Sequence, residues 1–243
     1  MIALLQERLE RIAEEFAPVA LASSLSAEDM VLTDAIAAAG LPVEIFVLDT
    51  GRLHGDTLSL IPRIESRYAL RMSIFRPQSA AVQAYVADNG PDGFYRSIEL
   101  RKQCCAIRKV EPLARALRGK RAWITGQRRA HSAGRSELAE REFDAVHAIE
   151  KFNPLAAWTE ADVWHYIRAR GVPYNLLYDQ GYRSIGCAPC TRPVLPDEDV
   201  RAGRWWWESQ EHKECGLHVQ PAAPASLSGA ISYAKRIIEI TAA

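Results

Sequence analysis

Apolar positions recur along this chain in alternating helical and strand rhythms. Leu5, Leu9, Ile12 and Phe16 fall three and four apart, which predicts a surface helix over residues 1–16. The apolar run Pro18-Val-Ala-Leu-Ala22 then reads as a short buried strand. Ser26 and Asp29 have the spacing of a capping box and place a helix start directly after that strand, with Met30 to Ile36 carrying it on to Gly40. Such a helix start offers unpaired amides to an anion, although a plain cap accounts for this piece equally well. Val43 to Leu48 is a second strand-like run, ended by Asp49-Thr-Gly51; residues 54–68 read as helix, and Met72 to Phe75 as a third strand. Strand, loop and helix in repeated succession predict an α/β fold with a parallel sheet, whose ligands bind beyond the carboxyl ends of the strands. Residues 24–29 and 49–54 are therefore expected side by side at one rim.

Residues 80–87 suggest another helix, 88–93 a turn-rich break, and a helix bearing Cys104 and Cys105 should run to about Leu117. After a basic turn, Ala122 to Gly126 returns as a strand, followed by a polar Gly- and Arg-containing loop of the kind that orders around a ligand. Val146 to Ile149 reads as a strand closed off by Asn153-Pro154, and Thr159 with Asp162 forms a second capping box for a helix carrying Val163, Trp164 and Ile167. Beyond Gly171 the patterning fades into an irregular Pro- and Gly-containing segment. Trp205, Trp206 and Trp207 are expected to be ordinary buried aromatics, with an interface or a lid as the alternative; residues 220–229 read as a flexible connector, and 230–240 as a short terminal helix or strand. No internal repeat is present. The expected organisation is an α/β domain over residues 1–204 and a C-terminal segment over 205–243.

Composition narrows the class. At 243 residues, 48% hydrophobic and 25% charged, the chain can bury a core without staples. Thirty basic residues offset thirty acidic ones, so no global field argues for nucleic acid. Basic residues do crowd near the cysteines and over residues 126–135, which suits a small anionic ligand. The opening residues lack the pattern of a secretory signal, and no apolar stretch reaches the length of a membrane span. Five cysteines, an odd number, favour a reducing compartment, and the expected location is cytoplasmic.

Those cysteines are the candidate chemistry. Cys104 and Cys105 are adjacent, Cys187 and Cys190 form a Cys-x-x-Cys, and Cys215 stands apart in Lys213-Glu-Cys-Gly-Leu-His218. Two pairs of thiolates can close around a zinc ion or an iron–sulfur cluster. Adjacent residues meet two corners of a cluster more readily than two corners of a zinc tetrahedron, which favours [4Fe–4S]; a redox-active Cys187–Cys190 dithiol is a further reading. Buried packing is the ordinary alternative for any single cysteine. Lys109, four residues after Cys105, could return to the same helical face. Cys215 is a candidate nucleophile, with His212, Lys213, Arg201 and Arg204 available to lower its pKa.

The ordered set Ser24-Leu-Ser-Ala-Glu-Asp29, Leu48-Asp-Thr-Gly-Arg52, Lys102-Gln-Cys-Cys105 with Lys109, Thr125-Gly-Gln-Arg-Arg129, Cys187-Ala-Pro-Cys190 and Lys213-Glu-Cys-Gly-Leu-His218 resembles the iron–sulfur assimilatory adenylylsulfate (APS) reductases of bacteria. The resemblance runs from about Pro18 to His218. It implies an adenine nucleotide alpha hydrolase-like domain, a [4Fe–4S] cluster on Cys104, Cys105, Cys187 and Cys190, and Lys109 as a catalytic cation. It implies attack by Cys215 on the sulfur of APS, giving AMP and an S-sulfocysteine from which thioredoxin, or glutaredoxin, releases sulfite. Ser24, Ser26 and Asp29 would form the loop that related ATP pyrophosphatases build with glycines; Leu25 and Ala27 depart from that pattern, which argues against ATP cleavage. Leu48 and Gly51 would border the adenosine. Arg128, Arg129 and Arg135 would clasp the phosphate–sulfate end, where guanidinium forks suit such oxygens; Arg201 and Arg204 match basic positions between the cysteine pair and the catalytic tail and, with His218, would bind substrate. Both cysteine pairs favour APS over its 3′-phosphorylated form, PAPS, as substrate. Neither nucleic acid nor membrane is expected as a partner, and a homo-oligomer is compatible with the sequence. Three rivals are a PAPS reductase, a cluster-containing tRNA thiolation enzyme, which should keep a glycine loop and an RNA-binding element, and a non-catalytic zinc or redox-sensing module.

Overall fold

The computed structural model describes residues 2–131, 135–209 and 217. Helix α1 (Ile2–Glu15) forms as its periodicity predicts and buries Leu5, Leu9 and Ile12 on one stripe. Strand β1 (Val19–Ser23) leads into α2 (Ala27–Ala38), then β2 (Val43–Leu48), α3 (Gly55–Tyr68), β3 (Ser73–Phe75) and α4 (Ser79–Asn89). The double cysteine ends α5 (Ile98–Cys105); the helical path continues through a π turn at Ala106–Val110 into α6 (Glu111–Ala116). Strand β4 (Ala122–Ile124) is followed by β5 (Arg141–Asp144), β6 (Ile149–Phe152) and α7 (Glu160–Arg170). Among the described residues no helix is long and apolar enough to cross a membrane.

The strands make one sheet in the order β3-β2-β1-β4-β6-β5, parallel except for β5, which runs antiparallel to β6. From β1 the chain first winds outward through β2 to β3 and later returns to β1's other side as β4. The crevice at the carboxyl ends of β1 and β4 is therefore the topological switch point, where α/β sheets bind ligands. Side-chain alternation divides the core between two faces. Val19, Leu21, Ile45 and Ile124 pack with α1, α2 and α7. Ala20, Phe46 and Trp123 pack with Leu113, Ala116 and Leu117 around α6. Helix α2, buried nearly all round, is apolar nearly all round.

Two local expectations are corrected. Val146 to Ala148 are not strand: they turn the chain between β5 and β6, with Asp144 Oδ1 accepting from the amides of Val146 (3.0 Å) and His147 (3.2 Å) and Ala148 at φ 55°. Only Ile149 belongs to the strand. Ser26 occupies the N-cap position of α2, yet its side chain makes no capping hydrogen bond. Thr159 and Asp162 do form the reciprocal capping box at the start of α7.

Candidate active site

A cavity of about 210 Å³ opens at the switch point. Its first rim is the loop after β1. Asp29 Oδ2 folds back to accept from the Ser24 amide (2.7 Å), the Ser24 hydroxyl (2.6 Å) and the Ser26 hydroxyl (3.1 Å). This internal bonding replaces the capping box. Burial pushes the Asp29 carboxyl up, assisted by neighbouring Glu28 and opposed by the Ser24 and Ser26 bonds. Leu25, fully buried, holds φ 62°, a left-handed conformation that costs a non-glycine residue. Leucine thus takes a backbone shape that glycine would reach freely, in exchange for a side chain in the core. The Ala27 amide donates to the Tyr178 hydroxyl at 3.0 Å.

The second rim follows β4. Gly126 must lack a side chain: a Cβ there would stand 2.8 Å from Glu28 Cβ and press on the Asp29 carboxylate. Glu28 is buried but held down at about 2, because His131 and Arg128 outweigh the penalty of burial. Arg128 Nε donates to Glu28 at 2.8 Å and its Nη1 to the Trp158 carbonyl at 3.3 Å, while His131 Nε2 meets Glu28 at 2.9 Å. Arg135 lies 3.3 Å from His131 Nδ1 and lines the cavity.

The far wall is cationic, with Lys109, Arg183, Arg201 and Arg204. Arg204 is 7% exposed and donates to the Ile185 carbonyl at 3.1 Å; its guanidinium lies against the backbone of Gly186, where a Cβ would approach within 2.5 Å of Nη2. Behind this wall Cys104, Cys105, Cys187 and Cys190 line one small chamber together with Arg108 and Lys109. The loop after β2 supports it: Leu53 bridges to Cys187, the Ala188 amide donates to the Arg52 carbonyl (2.8 Å), and Thr50 Oγ1 lies 3.3 Å from Cys187 Sγ. Trp205, at φ 41° and 1% exposed, has Arg101 and Arg204 over its ring at 4.7 and 4.6 Å from the centroid, and its amide donates to the Cys190 carbonyl. Arg101 in turn forks onto Glu208 at 3.0 and 2.7 Å in a buried ion pair. Lys109 and Trp205 line both chamber and cavity.

The chamber fits a thiolate-ligated cluster by its donors and surroundings. Its four cysteines form no disulfide. Burial and then the nearby Cys187 push Cys190 up to about 12; burial raises Cys104 as well. Burial also opposes ionisation of Cys187, but Lys109, the Thr50 bond, Arg204 and Arg108 outweigh it and hold that thiol below its ordinary value. Several thiolates converging at low dielectric repel one another unless positive charge compensates them, and Lys109, Arg204 and Arg108 supply such charge beside Cys187. Among the described residues no group of three or more His, Cys, Asp or Glu side chains is arranged around a single metal ion.

Of the residues singled out by sequence, the structure brings Ser24, Ser26, Asp29, Leu48, Lys109, Arg135, Arg201 and Arg204 to the cavity wall. Arg128 is committed to Glu28 instead, and Arg129 donates to the Leu138 carbonyl from an exposed position. Gly51 turns the chain at φ 68° beside Arg108. Cys215 and His218 lie outside the described residues, although Leu217, between them in sequence, lines the cavity. Sequence reasoning assigned no role to Glu28, Thr50, Gln127 or Tyr178 and did not anticipate that Trp205 lines both cavity and chamber. Thr50 was signalled by the Asp-Thr-Gly turn ending a buried strand, and Glu28 and Gln127 stand inside stretches that carry the family resemblance; Tyr178 has no local pattern.

Fold and site together define an α/β protein with an adenine nucleotide alpha hydrolase-like fold, with a chamber of four cysteines beside its crevice. The phosphoadenosine phosphosulfate reductase domain matches residues 18–193. The chain is 56% identical to an adenosine 5′-phosphosulfate reductase of Burkholderia cepacia over 216 residues, covering 89% of this chain and 86% of the relative. It is 53% identical to one of Allochromatium vinosum, covering 90% and 85%. The solved phosphoadenylyl-sulfate reductase of Candida auris, a phosphate complex, superposes with a TM-score of 0.66 at 28% identity, covering 78% of this chain and 90% of that one. The chain belongs to the PAPS/APS reductase family.

Proposed function

We propose that the protein reduces adenosine 5′-phosphosulfate to sulfite and AMP, with a dithiol protein of the thioredoxin type as reductant. The observation that carries this reading is the shared wall: the cationic end of a switch-point nucleotide crevice backs directly onto a chamber of four cysteines, with Lys109 on both sides. The close relatives bearing the APS reductase name support the substrate.

Adenine suits the apolar stretch formed by Phe46, Leu48, Leu113 and Trp123, and the phosphate–sulfate suits Lys109, Arg201 and Arg204. Held there, the sulfate sulfur is open to the Cys215 thiolate. An S–S bond forms as the S–O bond to the phosphate breaks, and AMP leaves with the bridging oxygen and its negative charge, which the arginines stabilise. A thiolate of the reductant then attacks Cys215 Sγ and expels sulfite; the reductant's second thiol resolves the mixed disulfide and frees Cys215. Cys104, Cys105, Cys187 and Cys190 would hold a [4Fe–4S] cluster, which when bound braces the chamber and adds its charge to the field at the cationic wall. Arg108, donating to the Thr50 carbonyl at 2.7 Å, ties the chamber to the loop after β2.

The test is an anaerobic assay with APS or PAPS, thioredoxin and its reducing system, following sulfite, nucleotide product and iron. Sulfite with AMP from APS, at about four irons per chain, is the expected result. Faster turnover of PAPS would overturn the substrate assignment, and no sulfite from either nucleotide with the cluster full would overturn the function. Cys215→Ser should keep its iron and lose turnover.

A further inference from the structure

Three tryptophans in a row read as buried, yet the structure buries only the first of them fully. Trp205 is 1% exposed, whereas Trp206 is 42% exposed and Trp207 is partly covered. Trp206 stands edge-on to Trp207 with ring centroids 4.8 Å apart, and both meet Tyr95, at 6.3 and 4.5 Å. Tyr95 is itself 41% exposed. The rings are held from beneath. Buried Phe94 packs on Tyr95 at 4.6 Å, and the Tyr95 hydroxyl donates to the Pro189 carbonyl at 2.6 Å. Phe94 and Pro189 line the cysteine chamber, so the aromatic patch adjoins it. Exposed aromatics already fixed in place are the side chains that dominate protein–protein contacts.

Chain length and area choose the occupant. Ser209 lies two residues beyond Trp207, Leu217 lines the cavity, and Cys215 stands between them in sequence. Cys215 is six residues from Ser209, so the chain keeps it within about 21 Å of the patch's edge in any conformation. A dithiol protein of small-domain size is about 30 Å across, broad enough to rest on the patch while its thiol meets Cys215. At their observed exposures, Tyr95 and Trp206 together offer on the order of 200 Å² of surface. A standing interface between two copies needs about 800 Å² from each, and redox encounters are smaller. A reductant that arrives reduced and leaves oxidised at every turnover needs the smaller kind.

We propose that Tyr95, Trp206 and Trp207 form the docking surface for the dithiol protein that reduces the S-sulfocysteine at residue 215. The inference rests on the reaction given above and deepens it by placing the reductant. The three rings take no part in nucleotide binding, so attack by Cys215 and release of AMP proceed without them.

The experiment compares the cluster-loaded, full-length wild type with Trp206→Ser and Trp206→Phe. AMP release is followed in a single turnover without reductant, and sulfite release at saturating APS over a range of thioredoxin concentrations. Trp206→Ser should release AMP as the wild type does, yet lose about tenfold in kcat/KM for thioredoxin, the effect of truncating an aromatic anchor. Trp206→Phe should recover most of that loss, and turnover with dithiothreitol should be equal in all three. Should the serine variant not fold, the wild type carries the test. Trapped as the mixed disulfide with a thioredoxin lacking its second cysteine, it should show slower hydrogen exchange at residues 93–95 and 206–208. Unchanged kcat/KM for thioredoxin, or no slowing of exchange, overturns the docking surface alone. So does a wild-type dimer that Trp206→Ser dissociates in sedimentation while the thioredoxin kinetics stay fixed, which gives the patch to a second copy. If AMP is released but thioredoxin yields no sulfite from the wild type, the reductant reading fails and the inference with it.

Discussion

Lys109 is the cation that cavity and chamber have in common, so its loss should be felt in turnover more than in folding. Lys109→Ala is expected to lower kcat by roughly 100-fold, the scale of removing one preorganised charge from a transition state; steady-state kinetics beside a thermal melt would check it. Gly186 acts through another side chain. A methyl group there would displace the Arg204 guanidinium, and Gly186→Ala should cost up to about 100-fold in kcat/KM for APS if that fork binds the anion. Glu28 brings a pH dependence whose sign follows from its position. Its carboxyl is lowered from 4.5 to about 2 in the folded protein by His131 and Arg128 against burial. The stability it contributes is therefore fully present above about 4.5 and is lost as pH falls toward 2. Glu28→Gln should flatten the acid limb of a stability–pH curve over that interval; an unchanged limb would show that the pair does not set it. The sequence displayed Lys109 and Arg204 as candidates but gave no sign of Glu28, because an ion pair between residues 28 and 128 is a product of the crossover between β1 and β4.

The two serine/threonine caps that look alike in sequence behave differently as elements. Thr159 receives the Asp162 amide at 3.1 Å and Asp162 receives the Thr159 amide at 2.8 Å. Thr159→Ala should cost about 1 kcal/mol, measured by denaturant unfolding. Ser26 has no such bond, since Asp29 is drawn to Ser24, so Ser26→Ala should spare stability and be read in nucleotide affinity instead. The rhythm of apolar residues made α1, β1, β2, α3 and α7 legible because each buries one stripe or one whole strand. It gave no strand at 141–144 because edge strand β5 shows solvent and partly covered positions in alternation, with Phe143 58% exposed, and so offers no buried run. The π turn after Cys105 was illegible for another reason: its five residues, Ala106–Val110, have ordinary helical composition, and only tertiary packing selects the wider turn.

Over the whole molecule, alternating strands and helices were enough to place residues 24–29 and the turn after β2 at one rim, as the parallel pairing of β1 with β2 requires. They were not enough to show that Cys187 and Cys190 reach Cys104 and Cys105, because that approach depends on the irregular segment beyond Gly171, pinned by Arg204 and Trp205 rather than by periodicity. Cys187→Ser should lose iron and activity together, measured by metal analysis on the purified protein, whereas retention of both would remove this chain segment from the chamber. The wall shared through Lys109 and Trp205 carries an obligation of reciprocity. If a filled chamber tightens nucleotide binding by some factor, bound nucleotide must hold the chamber's contents by that same factor. AMP-saturated protein is thus expected to yield its iron to a chelator less readily than nucleotide-free protein, and indifference of the equilibrium to AMP would mark the wall as a rigid partition. With coupling, the two compartments would behave as one thermodynamic object, each occupant raising the other's retention.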